Sequence, residues 1–348
     1  MTASPMDRVV WIVSEGSPGH VSQSVGLAEA LSKRVPLRVE RIECRSRLNG
    51  VARSLVRTWM GRGGRPLPGW FLKKWLRLDL SAVTAKKPDM ILSSGGKSVF
   101  AARSLAACSG APYVFLGERK PYPSEWFHTV FTPSARETGV NDVAIEMIPT
   151  QVTKAGVEKA AASWADRPTG RLWAMVIGGT SVSHRYTDAD WNALAAGMNT
   201  LARREGIRWL VTTSRRTGAE AEARLRAGLN STVVAAAVWW AEKPEKKMQA
   251  FLGSAECVFV TQDSVTMVTE AVASGRPVVV ASPADVRFPI NSFSPGYFDR
   301  LENQGCILRS AIHELHAINY ERLEKIAPPA QSMEQDMAKK LMSRLAWS

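Results

Sequence analysis

A chain of 348 residues that is 45% hydrophobic and 22% charged has the composition of a folded globular protein, which excludes a disordered one, and it is long enough for two ordinary domains. Its four cysteines, Cys44, Cys108, Cys257 and Cys306, stand far apart, with neither CxxC nor Cys/His spacing, so they read as small buried thiols in a reducing compartment and give no metal motif. The net charge of +13, from 45 Lys and Arg against 32 Asp and Glu, favours anionic partners.

The first apolar run, Val9 to Val13, is shorter than a signal-peptide core, and Ser14-Glu15-Gly16 follows it at once. No run approaches the ~18 apolar residues that cross a bilayer. The expectation is a cytoplasmic protein, peripheral on the inner face of the inner membrane where it meets lipid.

From there, short apolar runs alternate with amphipathic stretches, the pattern of parallel sheets flanked by helices. The first half predicts strands over 8–13, 37–42, 88–93, 112–116, 128–132 and 143–148, with helices near 21–34, 50–60, 68–78 and 97–109. Residues 151–170 read as a helix or linker ending at Pro168-Thr169-Gly170. The alternation then restarts, with strands over 171–177, 207–213, 232–238, 256–261, 277–281 and 305–308 and helices near 188–204, 217–228, 244–253, 264–274 and 320–326. Past Pro328-Pro329, a last helix over 331–346 is expected to pack back on the rest. The reading is an α/β protein of two Rossmann-like βα domains, 1–150 and 151–327, with a cleft between them and a terminal segment 328–348.

Ligands of open α/β sheets bind beyond the carboxyl ends of the strands, so the strand-to-helix loops are the candidates. Ser14-Glu15-Gly16-Ser17-Pro18-Gly19-His20 carries two glycines that admit a close ligand, and His20 stands at the helix mouth as a base or polar anchor. Ser93-Ser94-Gly95-Gly96-Lys97-Ser98 resembles a phosphate loop but lacks P-loop spacing. Gly178-Gly179-Thr180-Ser181, read as preceding a helix, suits a diphosphate held by backbone N–H groups and hydroxyls. Thr212-Thr213-Ser214-Arg215-Arg216-Thr217 sets two arginines among hydroxyls at a strand end, fit to neutralise phosphate. Asp263 and Ser264 open a helix whose second turn carries Glu270, placed to accept from ribose hydroxyls. For each loop the alternative is an ordinary capped turn with solvated side chains.

The motifs GGTS, TTSRRTG, TQDSVTMVTEAVASGRPV and the opening SEGSPGHVSQSVGLAEAL, in this order and spacing over roughly 9–310, resemble the ELM1 family. That family is named for a plant mitochondrial-fission protein, and its bacterial members are assigned as glycosyltransferases. The resemblance implies the GT-B architecture, with a nucleotide-sugar donor on the C-terminal domain. It also implies a ribose contact at Glu270 and Ala271, diphosphate contacts from the loop Gly178 to Ser181, with Gly179 and Thr180, and from the Arg215/Arg216 loop, and an acceptor facing Gly19-His20. On the loop pattern Ser214, Asp263 and Ser264 join the donor phosphate set, and Gly16, Gly95, Gly96 and Lys97 the acceptor side. Glu15-Gly16 stands where the family opens with Asp-Gly.

Residues 45–78 hold nine basic side chains and no acidic one, interleaved with Trp59, Trp70, Phe71 and Trp75. Cations beside indoles suit an anionic membrane interface, with Arg57, Trp59, Trp70, Lys73, Lys74 and Trp75 as the contacts. The alternative is a solvated face with buried aromatics; nucleic acid is disfavoured because no binding motif accompanies the charge. The expected reaction is sugar transfer from a nucleotide-sugar to a lipid-linked glycan of the lipopolysaccharide-core type. His20 would serve as base if the reaction inverts the anomeric centre, and no metal or cofactor is expected because no paired-carboxylate motif is present. A nucleotide-sugar epimerase or hydrolase, and a non-catalytic membrane adaptor, are the alternatives on the same fold.

Overall fold

The computed structural model describes residues 7–61, 65–81, 83, 87–134, 139–290, 292–327 and 333–347. The chain forms two compact units, one of Met1–Gln151 with Ser332–Ser348 and one of Val152–Gln331.

The first unit runs β1 (Arg8–Ser14), α1 (Pro18–Ser32), β2 (Leu37–Glu43), α2 (Gly50–Met60), α3 (Gly69–Trp75), β3 (Met90–Ser94), α4 (Val99–Ser109), β4 (Tyr113–Leu116), β5 (Thr129–Thr132) and β6 (Asp142–Ala144). Its six strands pair in the order β2-β1-β3-β4-β5-β6 and every pairing is parallel. Because β1 alternates, Val10 and Ile12 enter one hydrophobic layer with Leu27 and Leu31 of α1, while Trp11 and Val13 enter another with Val56, Met60, Leu72 and Phe100. Strands covered on both faces read as continuous apolar runs, which is why β3 and β4 were legible.

The second unit runs α5 (Lys154–Ala162), β7 (Leu172–Val176), β8 (His184–Arg185), α6 (Asp188–Glu205), β9 (Arg208–Thr212), α7 (Ala219–Gly228), β10 (Val234–Val238), α8 (Met248–Ser254), β11 (Cys257–Thr261), α9 (Val265–Ala273), β12 (Val278–Ser282), β13 (Asp285–Val286), α10 (Ser294–Asn303), β14 (Leu308–Ala311) and α11 (Tyr320–Leu323). Its parallel sheet has the order β10-β9-β7-β11-β12-β14, while β8 and β13 form a separate antiparallel pair. The two units therefore differ in topology. The second has the doubly wound 3-2-1-4-5-6 order, and the first exchanges it for 2-1-3-4-5-6.

The final helix, α12 (Met333–Leu345), belongs to the first unit. It packs on α1, delivers Met337, Ala338 and Leu341 to the layer around Val10 and Ile12, and its Glu334 Oε1 accepts from the Thr150 backbone N–H at 3.0 Å. Residues 328–332, where the helix was expected to begin, and Arg62 of the basic segment lie outside the described residues.

Several expectations are corrected. The helix α10 was missed, although Pro295 in its first turn and buried Tyr297, Phe298 and Leu301 mark it. Its closing turn, with Gly305 N–H donating to Glu302 O and Cys306 N–H to Leu301 O, displaces the strand expected over 305–308 to β14. The strand expected over 143–148 is only the short β6, whereas the helix-or-linker reading of 151–170 stands, with a helix over 154–162 capped by Thr153 Oγ1 accepting from Gly156 N–H at 3.1 Å. Cys108 is exposed, whereas Cys44, Cys257 and Cys306 are buried. Among the described residues no helix is long and apolar enough to cross a membrane.

Iodoacetamide under native conditions is therefore expected to alkylate Cys108 and spare the three buried thiols, Cys44 among them with its pKa pushed up to about 12 by burial and by Glu15 and Glu43. Intact-mass spectrometry reads this directly, and rapid modification of a second thiol would contradict the packing.

Candidate functional site

In the second sheet the strand order reverses between neighbours β7 and β11, and ligands of such sheets bind at this switch point. The loops after β7 and β11 are 178–181 and 262–264, and β9 beside β7 brings in 213–217. The sequence candidates of this unit thus converge on one end of one sheet.

What fixes them is Asp263. Its side chain is wholly shielded from solvent and takes the Arg216 Nη2 donor at 2.5 Å, the Tyr186 hydroxyl at 2.9 Å and the Gly179 N–H at 3.1 Å. A buried carboxylate is tolerated only when its oxygens are met in this way. Asp263 was expected to face ligand; it faces the protein instead and organises the loops that surround it. Gly178 is glycine because a Cβ would overlap the Asp263 carboxylate, and Gly179 because a Cβ would overlap the Arg216 carbonyl. The Gly178 N–H donates to Thr261 Oγ1 at 2.7 Å, and its carbonyl accepts from Ser214 Oγ at 3.0 Å and from Thr217 Oγ1. The paired glycines and Ser214 are therefore used in packing three loops together.

The loop 178–181 does not lead into a helix as expected. Ser181 Oγ accepts from the N–H groups of Ser183 and His184 at 3.3 and 3.2 Å, turning the chain into β8, and α6 starts only after a capping box between Thr187 and Asp190. Asp188 and Asp190 in the first turn of α6, and Glu220 and Glu222 in that of α7, make both N-termini poor anion sites. Helix α9 differs: Ser264 Oγ accepts from Met267 N–H at 3.4 Å, and its first turn holds no acid. One partly accessible face of α9 carries Thr266, Met267, Glu270 and Ala273. Arg216 is partly committed to Asp263, whereas Arg215 is exposed and makes no ion pair with a described residue; Thr180 is exposed as well.

Three residues were not singled out in the sequence. Tyr186 donates to Asp263 and stacks on Trp191 with ring centroids 4.5 Å apart; burial first, then Asp263, pushes its hydroxyl pKa up. His184 Nδ1 lies 2.8 Å from Ser183 Oγ and Nε2 3.2 Å from Gln262 Oε1, and burial pulls its pKa below the ordinary 6.5. Buried Glu222 accepts from Thr213 Oγ1 at 2.6 Å and from Ala241 N–H at 3.1 Å, fixing the end of β9. No local motif marks these three; the Thr187/Asp190 spacing beside Tyr186 was the one readable signal.

In the first unit the order reverses between β1 and β3, and the other two glycine loops emerge there. His20 Nδ1 lies 3.0 Å from Glu15 Oε1 in a nine-tenths buried carboxylate whose Oε2 has no hydrogen-bond partner. Gly95, at φ +78°, leaves room for the His20 ring where a Cβ would overlap it, and Gly16 turns at φ +77°. Gly19 lies in the first turn of α1 with Pro18, behind Ser17, whose side chain makes no cap bond. The Gly96 carbonyl accepts from Arg53 Nη2 at 2.6 Å and the Tyr122 hydroxyl at 2.9 Å, while Lys97 is exposed. Arg57, Trp59, Trp70, Lys73, Lys74 and Trp75 lie on α2 and α3. Among the described residues no group of three His, Cys, Asp or Glu side chains is arranged to hold a metal ion.

A family model described as mitochondrial fission ELM1 matches residues 18–337. No curated protein matches the sequence. Among solved structures, the UDP-GlcNAc 2-epimerase of Methanocaldococcus jannaschii aligns with a TM-score of 0.58 at 11% identity, over 98% of this chain and 100% of that one. S. aureus MnaA, solved with UDP, aligns with a TM-score of 0.57 at 11% identity over 98% of both chains. Phytolacca americana UGT2, solved with UDP-2fluoro-glucose and pterostilbene, aligns at 0.51 and 11% identity over 97% of this chain and 100% of that one. At these identities the likeness is one of fold, the GT-B arrangement of two Rossmann-like domains in one chain.

Replacing Asp263 with Ala removes the acceptor of the Tyr186 hydroxyl and the Gly179 N–H and is expected to cost about 2 kcal/mol in urea unfolding; a loss within error of zero would remove Asp263 from its organising role. His184 titrates below its ordinary value in the fold, so the unfolded chain binds its proton more readily and this contribution to stability fades as pH falls through 6.5. Relative to His184→Gln, the wild-type melting temperature is expected to drop more steeply between about pH 7 and pH 5; parallel profiles would refute the assignment.

Proposed function

This chain belongs to the mitochondrial fission ELM1 family, and from that membership and its loop geometry we propose that it transfers a sugar from a nucleotide-sugar donor to a hydroxyl of a membrane-associated glycolipid of the lipopolysaccharide-core type. The carrying observation is in the second unit, where Arg215, exposed and without an ion pair to any described residue, is next in sequence to Arg216, whose guanidinium meets Asp263 just ahead of the acid-free first turn of α9. Guanidinium, helix N–H groups and the exposed Thr180 hydroxyl are donors that suit a diphosphate without a metal. Glu270, on the accessible face of α9, is assigned to the ribose hydroxyls.

The first unit takes the acceptor in this reading. Glu15 at His20 Nδ1 orients the imidazole and leaves Nε2 to accept the acceptor hydroxyl proton. The oxygen so activated bonds to the anomeric carbon as the bond from that carbon to the diphosphate oxygen breaks. The departing nucleoside diphosphate gains negative charge that Arg215 and the α9 N-terminus offset.

Thermal unfolding against UDP-, GDP-, CMP- and dTDP-sugars, with EDTA or magnesium, tests the donor site; a ligand at 100 times its Kd adds about 2.7 kcal/mol. A selective rise that persists in EDTA is expected, and no rise with any donor would sink the reading. Arg215→Ala should weaken donor binding about tenfold and leave the melting temperature of the free protein unchanged, whereas Arg216→Ala lowers both. His20→Ala should cut turnover by about 10²–10⁴ and spare donor binding. Donor consumed with no acceptor present would identify epimerase or hydrolase chemistry instead.

A further inference from the structure

We propose that the outer faces of α2 and α3 form a docking surface for an anionic lipid bilayer, with α2 lying in the plane of the interface. The proposal deepens the membrane part of the reading above, and it stands or falls independently of sugar transfer.

Both helices bury one side in the same layer of the first unit: Val56 and Met60 from α2, Leu72 from α3, and Leu76 just after it. The solvent side of α2 carries large apolar side chains beside Ser54 and Thr58, where water should meet it. Val51, Leu55 and Trp59 recur every four residues as one stripe and are 73%, 67% and 54% exposed. Trp70 and Trp75 of α3 add 63% and 40%. Three of the four exposed tryptophans among the described residues, Trp240 being the other, therefore sit on two short neighbouring helices. Scattered exposed apolar residues are ordinary; a cluster of this kind marks an interaction face.

The charge around it selects the occupant. Residues 45–78 contain nine basic side chains and no acid. Lys73, Lys74 and Arg77 are exposed and make no ion pair with any described residue, and Arg57 reaches only Ser54 Oγ, at 3.2 Å. A polyanion such as nucleic acid would satisfy these cations but leave the aliphatic Val51 and Leu55 in water. A bilayer of anionic lipid satisfies both, taking the stripe and indoles at the headgroup boundary and the cations at the phosphates. Each basic group near such a surface favours binding about fivefold. At 11 residues α2 is too short to span a bilayer, so it lies along it.

The same helix reaches the site loop. Arg53, on its inner side, donates to the Gly96 carbonyl at 2.6 Å and to the Tyr122 hydroxyl at 3.1 Å, so docking α2 also anchors the loop that carries Lys97.

The full chain is to be sedimented at about 0.1 M salt with phosphatidylcholine vesicles, with and without phosphatidylglycerol. Binding to the anionic vesicles alone is expected. L55E/W59E and K73E/K74E should each weaken it about tenfold or more, while V182E, at an exposed apolar position of the second unit, should not. These positions are exposed, so circular dichroism and melting temperature should match wild type. Failure of the wild type to sediment overturns the proposal. So does unchanged binding by L55E/W59E, which would define a purely electrostatic surface for some other polyanion. Nucleotide-sugar stabilisation measured on the same preparations reads the donor site separately, so the vesicle result stands whichever way that measurement falls.

Discussion

One carboxylate governs the second unit. Removing Asp263 from water would cost several kcal/mol were it left alone, and the fold offsets that cost by bringing donors from two other strand-end connections, Gly179 and Tyr186 from one and Arg216 from the next. The glycines at 178 and 179 follow from this, since the loops approach too closely for a Cβ. So does the division between adjacent arginines, one spent on structure and the other left facing solvent. A rigid frame with an unspent cation at its rim is what phosphate recognition requires.

The sequence was most informative where physics is local. Fully buried parallel strands such as β3, β7 and β11 appear as short apolar runs, and Ser264 announced a helix that does begin after it. The loops 178–181, 213–217 and 262–264 were picked out because they follow strand ends, and the hydrogen bonds of Asp263 and of the Gly178 carbonyl tie them together. What could not be read was non-local. Gly178 and Gly179 look like a phosphate cradle in one dimension, yet their need for glycine comes from residues 263 and 216. Tyr186 and His184 have no motif because the partners that matter to them lie some eighty positions away. The short β8–β13 pair, which keeps the first loop from opening a helix, arises from a pairing across a hundred residues of chain. The missed α10 is of another kind: its Ser-Pro start and its apolar spacing at Tyr297, Phe298 and Leu301 were present and went unread.

The restart of the βα alternation suggested two like domains, and the strand orders show two variants of one plan. In each, the candidate loops sit where strand order reverses, but the chemistry on offer differs. The first unit presents a histidine–carboxylate pair and lysine beside glycine turns, the second an arginine and a helix N-terminus. The acid-free basic stretch 45–78 belongs to the first unit, so the net charge of the chain reflects one segment more than a general property.

The placement of α12 reverses the usual relation between synthesis and folding. Chains commonly complete their N-terminal domain first as they emerge from the ribosome. Here the layer around Val10 and Ile12 is filled by Met337, Ala338 and Leu341, and Thr150 waits for Glu334. The second unit has its whole sheet once residue 311 has been made, whereas the first keeps an uncovered apolar layer until α12 follows it. During that interval its exposed side is the part of the nascent chain that a chaperone would have to shield.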